Sequence, residues 1–149
     1  MVVEAIDISG ELWMGSSLSP ERLDQCAAAR PACALAYAAE WLTPERLDSC
    51  ARCKPWAALE FAAARLSPAT LDFCAGVQPR FALEYAASLL SPARLDACAA
   101  EEPWFALVYA GRRLTPERLD SCAEAYPVHA LRHAGTLLTA ERRAWCESR

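Results

Sequence analysis

The chain repeats one phrase at a fixed period of 24 residues. At Leu42 it reads Leu-Thr-Pro-Glu-Arg-Leu-Asp-Ser-Cys, and versions begin at Leu18, Leu66, Leu90, Leu114 and, eroded, at Leu138. A second phrase lies inside each period, as in Pro55-Trp56-Ala57-Ala58-Leu59-Glu60-Phe61-Ala62-Ala63. Self-similarity at one period of this length marks an array in which each unit buries its apolar face against its neighbours. That excludes most single-core folds before any residue is weighed.

Each period reads as two short helices. Helix A has Ser19 or Thr43 as N-cap, with proline at the first helical position, where its missing N–H costs nothing. Glu21, Glu45 and Glu117 follow near the positive end of the helix dipole. Leu18 before the cap and Leu23 at the fourth helical position form a hydrophobic staple, repeated by Leu114 and Leu119. Leu23, Cys26 and Ala27 share one narrow face, which is the expected core. Helix B starts at Pro31, Pro55, Pro79, Pro103 or Pro127 and is expected to run about eleven residues, the mean helix length. Leu35, Ala38, Ala39 and Leu42 are its apolar stripe, and the next Ser/Thr-Pro ends it. Helices this short need stacking for stability.

These patterns predict an all-α protein, a right-handed α-solenoid of five repeats over residues 18–137, with caps at both ends. Residues 1–17 lack the phrase. They read as an N-terminal cap, either a degenerate half-repeat with Trp13 in the aromatic register or a short strand within Val2–Ile8. Residues 138–149 read as a C-terminal capping half-repeat, because Arg143 replaces the stacking leucine and Ala140 the proline. With both caps present the chain reads as complete.

Thr43, Pro44, Leu47, Ala51 and Ala62 carry a resemblance to the leucine-rich repeat variant family, whose 24-residue repeats also pair Thr-Pro-x-x-Leu with a second short helical segment. The resemblance spans residues 18–146 and implies a two-layer α-solenoid; HEAT-like repeats are a more distant likeness in architecture. The chain departs from that family at its Asp-Pro and Asn-Pro turns, and residues 1–17 hold no counterpart of its cysteine-rich iron–sulfur segment.

The charge pattern has a mechanical reading. Asp24, Asp48, Asp72, Asp96 and Asp120 lie to one side of the core leucine on the helical wheel, and Arg22, Arg46, Arg94 and Arg118 to the other. Stacked repeats would pair them in a ladder, for instance Asp24 with Arg46, broken at Thr70. The sharper alternative is an acidic mimic of nucleic acid.

Cysteine is frequent, with 8 in 149 residues. Cys26, Cys50, Cys74, Cys98, Cys122 and Cys146 occupy one repeat position, where stacked helices stand ~9–10 Å apart. A disulfide needs Cα atoms within ~7 Å, so reduced thiols acting as small hydrophobes are expected. Cys50-Ala51-Arg52-Cys53 is a lone C-x-x-C without the second pair zinc requires. His129 and His133 are spaced to share a metal, but Ala130 stands where a metalloprotease needs glutamate. No cofactor is expected, no metal site is assigned, and without nucleophile elbow, phosphate loop or paired catalytic carboxylates an enzyme is not expected.

A net charge of −4 does not describe a non-specific nucleic-acid binder. No basic, apolar leader and no apolar run of membrane-spanning length occurs, so a cytoplasmic protein is expected. The aromatic column Tyr37, Phe61, Tyr85, Tyr109 and His133 lies opposite the leucine stripe of helix B. Its recurrence favours packing inside a helix buried all round over a groove lining.

Function is expected at positions that the repeats do not share. Trp56, Arg80 and Trp104 vary at one position, and Phe81, Phe105 and His129 at the next. With the basic residues Arg112, Arg113 and Arg132 they form the candidate partner-binding set. The expected function is a non-catalytic protein-binding scaffold. Its most specific version is a small phage- or mobile-element-encoded inhibitor that occludes a host protein complex. The runner-up is a nucleic-acid-related role through the basic C-terminal patch or acidic mimicry. A metal or redox protein using Cys50 and Cys53 is third.

Overall fold

The structure, a computed structural model, describes residues 4–6, 12–14 and 18–149. Strands β1 (Glu4–Ile6) and β2 (Leu12–Met14) pair antiparallel, with Ala5 opposite Trp13. The remaining expectation for the N-terminal cap lies outside the described residues. From residue 18 onward all regular structure is helical.

Length suggests a single domain, but contacts divide the chain into two compact units, Met1–Cys74 and Ala75–Arg149. The first holds α1 (Pro20–Ala29), α2 (Pro31–Tyr37), α3 (Pro44–Cys53) and α4 (Pro55–Phe61). The boundary falls inside α5 (Pro68–Val77). The second unit continues with α6 (Pro79–Ala86), α7 (Pro92–Glu101), α8 (Pro103–Tyr109), α9 (Pro116–Ala125), α10 (Pro127–Ala134) and α11 (Ala140–Glu147). In the first unit α1 packs on α3 and α2 on α4. In the second, α7, α9 and α11 pack in succession, as do α6, α8 and α10. Within each unit, therefore, A-helices lie on A-helices and B-helices on B-helices.

Local chemistry accounts for each A-helix. The hydroxyls of Ser19, Thr43, Ser67, Ser91, Thr115 and Thr139 each accept from the backbone N–H three residues on, at 3.1–3.3 Å. Each bond satisfies a donor that the first helical turn leaves over. Leu23 and Cys26 are buried with Ala38, and Leu18, Trp41 and Leu42 pack against them, so the staple forms as the pattern implies.

An A-helix and its B-helix are joined by a single residue. Arg30 donates its N–H to the Cys26 carbonyl at 2.9 Å, closing α1, and accepts from Ala34 N–H at 3.0 Å, opening α2. Its φ of −135° and ψ of 69° recur within a few degrees at Lys54 and Tyr126. Extended φ at this corner is what a residue before proline prefers. No side chain caps α2, α4, α6, α8 or α10.

The B-helices are shorter than expected. They span 7 or 8 residues rather than eleven. In α2, α4 and α8 the α-geometry ends at Ala38, Ala62 and Ala110, with φ between −138° and −127° and ψ near 0–10°. Short 3-10 turns follow at Ala39–Trp41, Ala63–Arg65 and Gly111–Arg113. The tighter turn swings the chain toward the next Ser/Thr-Pro sooner than a continuous α-helix would.

The core is thin and made of small groups. Leu35, Leu59, Leu83 and Leu107 are its largest fully buried aliphatics, surrounded by alanines that are 0–3% exposed at 34, 38, 58, 62, 82, 86, 106 and 110. The cysteine column is buried and reduced. Its thiols also do something that size does not imply. The Sγ of Cys50 donates to the Ala27 carbonyl at 3.6 Å, and Cys74, Cys98 and Cys122 reach Ala51, Ala75 and Ala99 at 3.6–3.7 Å. Each thiol is a weak donor to the preceding A-helix, which another small hydrophobe would not supply. Burial pushes the Cys50 and Cys74 thiols up to about 11, so they stay protonated and able to donate.

Candidate functional site

The aromatic column corrects one expectation. Tyr37, Phe61, Tyr85 and Tyr109 are 43–48% exposed, and His133 is exposed as well. The B-helices are not buried all round. Their leucine-and-alanine face meets the core while the ring face, two residues on, meets solvent. A helix this thinly packed covers only one side, so recurrence of the rings reflects a repeated surface.

In the second unit that surface is continuous. Phe81 and Tyr85 stack one helical turn apart on α6 with centroids 6.1 Å apart and planes at 21°. Phe105 and Tyr109 do the same on α8 at 6.2 Å and 14°, and His129 and His133 on α10 at 6.2 Å and 7°. Spacing of four residues puts each pair on one helix face. Arg80 ties α6 to α8, its guanidinium carbon 4.7 Å from the Phe105 ring centre and 5.9 Å from that of Phe81. Trp104 meets Phe105 edge-on at 4.6 Å and His129 at 5.6 Å, tying α8 to α10. Tyr126 meets His129 edge-on at 6.2 Å. The Tyr109 hydroxyl donates to Glu84 at 3.5 Å. Among the described residues, the shielded Nδ1 of His129 has no hydrogen-bond partner.

The structure thus brings Arg80, Phe81, Trp104, Phe105 and His129 into one set of ring contacts. Trp56 lies on α4 in the first unit and is 38% exposed. Arg112 and Arg113 occupy the 3-10 turn after α8, and Arg132 is exposed on α10. Tyr85, Tyr109 and His133 belong to the surface although the candidate set omits them. Their four-residue spacing from Phe81, Phe105 and His129 is a signal that recurrence in every repeat obscured.

A cavity of about 320 Å³ opens beside the rings. Tyr109, Arg112, Arg113, His133 and Thr136 line it, with backbone at Gly111. A side chain at Gly111 would meet Leu137 at 3.3 Å, so glycine permits the close approach of the two turns.

The A-helix charges are engaged elsewhere. Arg46 holds Asp24 through Nε at 2.5 Å and Nη2 at 2.8 Å, and Arg118 holds Asp96 at 2.8 and 3.0 Å. Arg142 joins Asp120 at 3.4 Å and Glu124 at 2.8 Å. The ladder therefore runs from Asp24, Asp96 and Asp120 to the arginine of the following repeat, in the sense the sequence suggested. At Thr70 it breaks, and Asp48 turns instead to the Ser67 hydroxyl at 2.6 Å and backbone N–H at 3.3 Å. Hydrogen bonds from Arg46 and Arg118 hold Asp24 and Asp96 below the usual carboxylate range. For Asp48 burial acts upward, but the Ser67 and Thr70 bonds outweigh it and the net shift is downward. By contrast, Arg112, Arg113 and Arg132 make no ion pair among the described residues.

The lone C-x-x-C does not converge. Cys50 is buried against the Ala27 carbonyl while Cys53 is exposed. Among the described residues, no three His, Cys, Asp or Glu side chains gather where a metal could bind. No described helix is long and apolar enough to cross a membrane. Compared with known protein families, with curated proteins and with solved structures, the chain matches none.

Proposed function

We propose that the chain is a non-catalytic protein-binding module built as a right-handed α-solenoid of 24-residue repeats, in the manner of leucine-rich repeat variant proteins. Lateral packing of like helices within each unit supports the architecture. One observation carries the function: on α6, α8 and α10 the unit leaves Tyr85, Tyr109 and His133 exposed and Phe81, Trp104, Phe105 and His129 half-buried beside them, while alanine and leucine fill its core. Aromatic rings and arginine are the side chains that most often anchor an interface, because they bury much area at little entropic cost. Exposing them in a chain with so small a core is costly unless a partner covers them.

Pull-down from native lysate of the source cell, with wild-type chain and a Phe105→Ala, Tyr109→Ala variant side by side, tests this. The module reading expects a partner retained by the wild type and lost from the variant. Equal retention would remove the ring face from the interaction. A nucleic-acid role is the second reading, favoured by the same stacked rings, on which unpaired bases could lie. Occlusion of a larger complex is the more specific form of the first, and the Trp56 surface of the first unit would then belong to a second contact.

A further inference from the structure

We infer that the ring face of the second unit takes an acidic peptide segment, with a carboxylate seated in the cavity between Arg112, Arg113 and His133 and an apolar or aromatic side chain laid on Phe105 and Tyr109. The inference rests on the protein-binding reading and gives its partner a chemistry.

Charge makes the assignment. On α6, α8, α10 and the turn Gly111–Arg113, Glu84 is the one carboxylate, and it already accepts from Tyr109. The same elements carry Arg80, Arg112, Arg113 and Arg132. Arg80 lies over the rings, while the other three have no carboxylate partner among the described residues. Arg118 and Arg142, on the A-helices of the same unit, are both neutralised. With Arg118 and Arg142 on the A-helices held by carboxylates and Arg112, Arg113 and Arg132 on the B-side left open, the B-side is the complement of an acidic ligand.

Geometry fixes where the charge goes. Tyr109 and His133 belong both to the ring rows and to the cavity wall, so the apolar and cationic parts of the site are continuous. At about 320 Å³ the cavity has room for an acidic side chain. Arg112, Arg113, Thr136 and His133 all line it, and each of these side-chain types can donate to a carboxylate. A second hollow among the described residues, lined by Asp120, Glu124, Glu141 and Arg142, holds an arginine already paired with carboxylates.

The test is an amide NMR titration of the full chain at low salt with a short capped peptide in which glutamates flank two phenylalanines. Its counterpart has glutamine at every glutamate. The acidic peptide is expected to shift amides of α8, of the turn Gly111–Arg113 and of α10, and to bind about tenfold more tightly than its counterpart, the worth of two screened ion pairs. Added salt should close that gap. Arg112→Glu with Arg113→Glu should abolish it, and Phe105→Ala with Tyr109→Ala should weaken both peptides alike. If the arginine variant fails to fold, the salt titration of the wild type decides the same question. Equal affinity for the two peptides, both shifting the ring face, overturns the acidic chemistry and leaves the protein-binding reading standing. No shift on α8 or α10 from either peptide overturns both. A single-stranded oligonucleotide of matched charge that binds the same amides more tightly than the acidic peptide overturns it in favour of nucleic acid.

Discussion

The division of labour between alanine-leucine core and charged ladder predicts unequal costs for two substitutions in one unit. Leu107 on α8 is 1% exposed. Leu107→Ala deletes three methylene-sized groups, worth ~0.8 kcal/mol each, or about 2.4 kcal/mol of transfer energy. The space left behind adds a cavity cost, because buried alanines on the helices packed against α8, such as Ala82 and Ala130, carry only a methyl group that cannot reach into it. The total falls at about 2–5 kcal/mol. Asp96 on α7 holds Arg118 through two bonds, yet the two side chains remain 43% and 27% exposed. Water and salt screen such a pair, so Asp96→Ala should cost about 0.2–1 kcal/mol. Urea unfolding followed by circular dichroism measures both, with the slope checked for constancy. Because contacts divide the chain into two units, a biphasic curve would assign the loss to the phase that Leu107→Ala moves. Equal costs would refute the reasoning, since the ladder would then be a principal source of stability.

Three further outcomes follow from the same geometry. At mildly alkaline pH a thiol reagent should label Cys53 first and Cys33 next, while the buried column resists until the protein unfolds; peptide mass spectrometry reads this directly. The folded pKa values of Asp24, Asp48 and Asp96 lie below 3.8, so their contribution is complete above the ordinary carboxylate range and lost as pH falls through the lowered values. Asp24→Asn with Asp96→Asn should flatten that acid limb in denaturation midpoints. Conversely Cys50 and Cys74, raised from 9.0 to about 11, should cost stability as pH climbs between those values, and Cys74→Ser should not abolish the remaining slope from Cys50.

Much of the A-helix was legible because its signals are local. A hydroxyl cap, proline and staple specify where α3 starts, and the wheel then places Leu47 and Cys50 in the core and Arg46 beside Asp24. The B-helix was less legible. Ala38 and Ala62 are strong helix formers, and nothing in their identity announces the break; it comes from the distance the chain must cover to the next cap. The ring face misled for a related reason. Periodicity reports that Tyr109 lies opposite Leu107, but whether a second layer covers it depends on packing that no single helix encodes. The thiol bonds were hidden because cysteine and alanine are nearly equal in size. A cue was available in the invariance of cysteine itself, where plain filling would have tolerated alanine or valine.

Those thiol bonds also bear on how the chain is made. Cys50 reaches a carbonyl 23 residues behind it, Arg46 a carboxylate 22 behind, and Tyr109 a glutamate 25 behind. No contact of this kind waits for a distant strand or closes a long loop, so the entropy lost at each step is small and folding should be fast for the length. A nascent chain emerging at ~5–20 residues per second would carry each new repeat's partners already in place. Chains truncated after successive repeats should therefore keep native hydrogen-exchange protection up to the penultimate one, and uniform loss of protection would show that completion must precede order.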